Sequence, residues 1–160
     1  MLKISEVTVK SYISPSKLPE ADYVINPYIG CPHKCIYCYG EFMKRFTKHA
    51  GDEWGDFLDV KICEKKMNYE KLTGSKILFG SVTDAYNPYE RKYGVTRSIL
   101  KQLQNSDTKI EILTKSNSVT RDIDILKNMK NLRVGLSINS LNNSFSRQTE
   151  PRAPIAAKRI

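Results

Sequence analysis

Three of the four cysteines, Cys31, Cys35 and Cys38, lie within the single stretch GCPHKCIYCY. Structural zinc takes four protein ligands, commonly as two CxxC pairs or as CxxC with a histidine pair. This loop offers CxxxC and CxxC sharing their middle cysteine. The chain has two histidines, His33 and His49, and no second CxxC. His33 falls inside the loop, where its neighbours crowd it. Three thiolates from so short a loop suit three corners of a cubane iron–sulfur cluster. The fourth iron would then lack a protein ligand and be open to a substrate or cofactor. An open iron is reactive, whereas a closed site carries electrons or holds structure. On the residues alone, zinc and structural or redox thiols remain the competing readings. Cys63 stands apart in an alternating stretch and reads as a free, packed cysteine.

The surroundings favour metal over disulfide. No apolar run is long enough to span a membrane. The opening MLKISEVTVKSYISPSK alternates apolar and polar residues and lacks the uninterrupted apolar core of a signal peptide. A cytoplasmic location is therefore expected, where thiols stay reduced. The net charge is +9, from 26 Lys and Arg against 17 Asp and Glu. Such a surface can draw in nucleic acid, nucleotides or acidic proteins. The lysines are spread along the chain, which equally describes an ordinary solvated surface.

The 160 residues suffice for one domain with a hydrophobic core. Residues 1–21 read as an extended lead-in ending in the turn-forming SPSKLPEAD, and residues 22–160 as the core domain. YVINPYIG (23–30) reads as a strand entering the cysteine loop. YGEFMKRFTKH reads as a helix, with Phe42 and Phe46 on one face. FLDVKIC (57–63) alternates like an edge strand. MNYEKLTGS reads as helical up to its glycine. Strands are expected at KILFGSV (76–82), KIEILT (109–114) and LRVGLSI (132–138). Helices are expected at VTRSILKQLQNS (95–106) and SVTRDIDILKNMKN (118–131), the latter capped by Ser118. Strands alternating with helices imply an α/β fold with a parallel sheet and right-handed crossovers. There are about four strand–helix steps, and polar residues cluster just after each strand, where α/β folds place their sites.

CxxxCxxC with an aromatic residue before its last cysteine (Cys31, Cys35, Tyr37, Cys38) resembles the signature of the radical S-adenosylmethionine (radical SAM) superfamily. DYVINPYIGCPHKCIYCY, FMKRFTKH, EWGDFLDVKI, FGSVTDAYNPYE, ILTKS and EPRAP, in that order, resemble the spore photoproduct lyase-like branch. The resemblance runs from about residue 10 to the C-terminus. It implies a partial TIM-type (βα) barrel, a 4Fe–4S cluster on Cys31, Cys35 and Cys38, and S-adenosylmethionine chelated to the open iron. It also implies a lyase-like enzyme whose cofactor carries the difficult chemistry. An electron donor such as flavodoxin or ferredoxin is the expected partner.

By the same resemblance Tyr37 would pack near the adenine, and the backbone around Tyr39 would meet the adenine edge. Thr83 and Asp84, in GSVTD where many members carry a GGE-type motif, would accept from the methionine ammonium. Lys115 would meet the methionine carboxylate, and Ser137 the ribose or carboxylate. Capping or loop packing would equally explain Thr83 and Asp84. EPRAP suggests no chemistry beyond a pairing of Glu150 with Arg152.

This chain departs from the family in two respects. Spore photoproduct lyase uses a cysteine near the end of its second strand as hydrogen donor, and no cysteine follows Cys63 here, which argues against thymine-dimer repair. The chain also provides about four βα units where the family has six, and the fourth helix is expected to begin in EPRAPIAAKRI. It is therefore expected to be the N-terminal portion of the fold, with another chain as one source of the missing strands. The alternative function is a non-enzymatic metal- or nucleic-acid-binding module.

Overall fold

The computed structural model describes residues 1–160. Eight strands form two sheets. The smaller sheet has the order β1–β5–β4, with β1 at Lys3–Thr8, β4 at Tyr28–Ile29 and β5 at Phe57–Ile62. The larger has the order β2–β3–β6–β7–β8. Its strands are β2 (Ile13–Pro15), β3 (Tyr23–Ile25), β6 (Lys76–Phe79), β7 (Lys109–Thr114) and β8 (Leu132–Leu136). Strands β3, β6, β7 and β8 are mutually parallel, and β2 runs antiparallel to β3. The parallel strands thus end at one edge, and the loops that follow them form a single surface there.

Burial explains the order. In β7, Ile110, Ile112 and Thr114 are buried while Glu111 and Leu113 lie on the opposite, open face. Ile110 and Ile112 share one core cluster with Ile77, Phe79 and Ile25. Helix α2 (Val95–Leu103) covers that cluster with Val95, Ile99, Leu100 and Leu103, at the spacing of an amphipathic stripe. A short helix, α1 (Glu90–Tyr93), precedes α2 and ends at Gly94 in the left-handed region.

Several elements differ from expectation. FLDVKIC is the central strand of its sheet rather than an edge, with Phe57, Leu58 and Val60 fully buried. Its apparent alternation came from Asp59, which is buried and paired with His49. The residues after the cysteine loop form a 3-10 helix, Tyr39–Phe46. Phe42 and Phe46 stack edge to face there, but both are exposed, so no core face draws the segment into a regular α-helix. MNYEKLTGS holds only a three-residue 3-10 turn, Glu70–Leu72. The helix expected over 118–131 is a 3-10 turn at Asn117–Asp122 followed by α3 (Ile123–Leu126), capped by Ser116 rather than Ser118. The helix after β8 comes earlier than EPRAP: α4 spans Asn143–Thr149 and is capped by the Asn142 side chain. The lead-in supplies β1 and β2, one to each sheet. No helix is long and apolar enough to cross a membrane.

Candidate radical SAM site

The cysteine loop leaves β4 at Gly30, whose φ of +84° few L side chains adopt. A Cβ there would meet the Phe57 carbonyl at 2.6 Å, so only glycine lets the loop lie on β5. The loop after β6 then grips it at several points. The Thr83 hydroxyl donates to the Gly30 carbonyl at 2.6 Å. The Tyr39 hydroxyl donates to the Ser81 carbonyl. Gly40 packs so closely that a Cβ would sit 2.9 Å from the Val82 carbonyl and 3.4 Å from the Cys38 sulfur. His33, 1% exposed, places Nδ1 3.4 Å from the Asp84 carboxylate. GSVTD is therefore the seat of the cysteine loop.

Cys31 is buried, and Cys35 and Cys38 are half-buried. Burial pushes the Cys35 thiol up to about 12; Lys115 opposes this, and Cys31 and Cys38 add to it. Burial also raises Cys38. The three thiols are thus close enough to feel one another's charge. No three His, Cys, Asp or Glu side chains converge as a metal-ligand group. The chemistry of the three cysteines still fits a metal cluster: cysteine thiols lose their protons when a cation binds them. Burial alone would lower the His33 pKa, but Asp84 and Cys31 outweigh it and raise it to about 10.

The residues expected at S-adenosylmethionine fall into two groups. Thr83 and Asp84 are buried and already engaged. Both Asp84 oxygens accept: Oδ1 from Tyr86 N–H at 2.9 Å and the Thr114 hydroxyl at 2.6 Å, and Oδ2 from Lys115 N–H at 2.8 Å. Asp84 thereby ties the end of β6 to the end of β7. Tyr37, Tyr39, Lys115 and Ser137 retain exposure on the same edge. The Lys115 ammonium lies 5.7 Å from the centre of the Tyr37 ring, which brings two of the expected residues together. The Ser137 N–H continues the β7–β8 ladder by donating to the Thr114 carbonyl at 2.8 Å.

Glu150 is the residue whose importance the sequence concealed. Its side chain is fully buried and accepts from the Tyr37 hydroxyl and from Arg159 at 2.5 Å, with Lys115 at 3.7 Å. Arg159, equally buried, also donates to the Ser137 carbonyl at 2.7 Å. Glu150 does not pair with Arg152, which instead reaches Asp56 at 2.7 Å and the Gly55 carbonyl at 2.8 Å. The EPRAP motif was visible, but nothing in its spacing predicts that its glutamate bonds to Tyr37. Cys63 is half-buried, its sulfur 3.6 Å from the Lys65 carbonyl.

The family model of the radical SAM superfamily matches residues 25–159, and the chain belongs to that superfamily. It is 38% identical to an uncharacterized protein of Methanocaldococcus jannaschii, over 99% of this chain and 60% of that one. An uncharacterized protein of Acidianus two-tailed virus is 30% identical, over all of this chain and 56% of its own length. The chain thus spans little more than half of each of these two relatives. The fold is that of spore photoproduct lyase. A complex with dinucleoside spore photoproduct aligns with a TM-score of 0.72 at 17% identity, covering 98% of this chain and 45% of that one. A mutant with bound AdoMet and the same dinucleoside aligns with a TM-score of 0.70 at 17% identity, covering 99% and 45%. The partial barrel has no closing strands: β8 ends the sheet.

Proposed function

We propose that this chain is the cluster-bearing part of a radical SAM enzyme, with Cys31, Cys35 and Cys38 as the three protein ligands of a 4Fe–4S cluster. The observation that carries this is CxxxCxxC on the loop edge of four parallel strands, within a superfamily match over residues 25–159. Held by these cysteines and reduced by a flavodoxin or ferredoxin in the cytoplasm, such a cluster would supply the chemistry of reductive S-adenosylmethionine cleavage to methionine and a 5′-deoxyadenosyl radical.

The chain's own residues would bind and orient. Lys115 presents a point charge suited to a carboxylate. Glu150 now takes part of that charge, so an incoming carboxylate would share the ammonium with it. Tyr37 and Tyr39 offer half-exposed ring faces for the adenine. The Ser137 hydroxyl is free to meet the ribose or carboxylate. Thr83 and Asp84 would present the methionine ammonium with the loop they hold, with Asp84 sharing its carboxylate among more donors than it has now. The dinucleoside bound by the structurally similar lyase supports a nucleic-acid-related substrate here.

Anaerobic reconstitution with iron and sulfide should give a 4Fe–4S EPR signal that changes when S-adenosylmethionine is added. Cys35→Ala should abolish the signal. Stoichiometric zinc without iron uptake, or a Cys35→Ala protein that keeps its cluster, would overturn the assignment.

A further inference from the structure

A concavity lies beside the cysteine loop, along the segment that follows Glu150. Its volume is about 580 Å³, and the loops after β6, β7 and β8 surround it. Glu150 turns inward to Tyr37 and Lys115, whereas Pro151–Ile155 line this cavity. Lys115 does not line it, so it is separate from the position proposed for S-adenosylmethionine.

The charge in its wall is one-sided. Arg91, Arg147, Arg152 and Lys158 line it, and no aspartate or glutamate does. Arg152 is already committed to Asp56. Arg91, Arg147 and Lys158 form no ion pair; the paired arginines of the chain are Arg97, Arg121, Arg152 and Arg159. Three unpaired cations facing one hollow repel one another, a cost that an anion between them removes. The floor adds a second, independent observation. His33 lines the cavity at 1% exposure; its Nδ1 faces the Asp84 carboxylate at 3.4 Å, and its Nε2 has no hydrogen-bond partner. A buried nitrogen left without a partner is uncommon in native proteins and calls for an occupant. Asn117 and Ser118 line the wall with an amide and a hydroxyl that bond to no protein group, giving neutral donors between the charged ones.

We propose that this cavity is a phosphate-recognition site that takes a phosphate-bearing ligand beside the cysteine loop. Arginine and lysine clamp the phosphate oxygens through charge-assisted hydrogen bonds, and Asn117, Ser118 and His33 complete the coordination. A free phosphorylated metabolite and a nucleic-acid backbone share this chemistry.

The test is calorimetric titration of the cluster-reconstituted chain at low salt, with inorganic pyrophosphate and separately with a short oligothymidylate. At least one probe should bind. The triple variant Arg91→Ala/Arg147→Ala/Lys158→Ala should weaken binding by about tenfold or more, and Arg91→Lys/Arg147→Lys should retain most of it. Binding of the oligonucleotide should lose about two units of its log–log salt slope in the triple variant. Pyrophosphate binding without oligonucleotide binding would mark a free phosphorylated ligand, and the reverse a phosphodiester backbone. No binding of either probe, or equal binding by wild type and the triple variant, would overturn the proposal. Because the cluster signal is read separately, loss of phosphate binding with the signal intact leaves the radical SAM assignment standing.

Discussion

Glu150 shows what one buried carboxylate can organise. It faces Arg159 at 2.5 Å with both side chains out of solvent, and Tyr37 and Lys115 converge on the same group. Taking an ion pair out of water costs several kcal/mol per ion, repaid only when geometry and hydrogen bonding are good. Removing one partner leaves the other charged and alone. Glu150→Gln is therefore expected to lower the unfolding free energy by about 3–5 kcal/mol. Glu150→Leu/Arg159→Met should cost clearly less than Glu150→Gln, because no buried charge is left unpaired. Urea unfolding of the three proteins checks both points, and a Glu150→Gln loss below about 1 kcal/mol would show that water still reaches the pair. At this scale the sequence was a partial guide. The cysteines announce themselves by type and spacing. Asp84 also stands out, but its contacts with Thr114 and the Lys115 N–H cross from one strand end to another, and no local pattern encodes them.

The elements around the site are tied by charge as well as by packing. Asp122 lies between Arg97 of α2 and Arg121 of the turn before α3, at 2.7 and 2.8 Å. Arg121 also reaches Glu90 of α1 at 2.7 Å, and Glu90 accepts from the Tyr28 hydroxyl of β4. One network thus joins three helical segments to the strand that leads into the cysteine loop. Burial alone would raise the Asp122 pKa; hydrogen bonds from Arg121 and Arg97 outweigh it and hold the carboxyl below its ordinary value. A depressed folded pKa means stabilisation that is complete above the unfolded value near about 4 and fades as pH falls through the folded one. Asp122→Asn should be less stable than wild type at pH 7, and the two stability curves should converge as pH falls below about 4. Curves that stay parallel through that range would show that Asp122 is not the titrating group. Strand and helix order were legible here because β6, β7 and α2 carry clean apolar periods. The split at residues 117–126 was not, since Ile123 is exposed and the segment is seated in the core by Val119, Ile125 and Leu126. Similarly, β5 read as an edge because a buried aspartate mimics alternation.

At the scale of the whole molecule the parallel sheet stops at β8, with one edge hydrogen-bonded to β7 and the other unpaired. Val134, Leu136 and Ile138 on or beside that strand are all more than a third exposed, as is Leu113 on the open face of β7. An unpaired strand with apolar side chains is a template for further pairing. The full-length relatives, of which this chain covers 60% and 56%, have residues beyond the matched region that could occupy such an edge. In this 160-residue chain the same edge should pair with itself. Sedimentation velocity is expected to show concentration-dependent association that high salt strengthens rather than weakens, because salt screens repulsion among the excess positive charges. Val134→Lys adds a charge to the strand at little cost to a partly exposed position and should shift the chain toward monomer. If association is unchanged in Val134→Lys, or if salt dissolves it, the contact lies elsewhere and is electrostatic. The two outcomes separate an incomplete barrel seeking a strand from a basic surface gathering anions, and the cavity beside His33 is relevant only to the second.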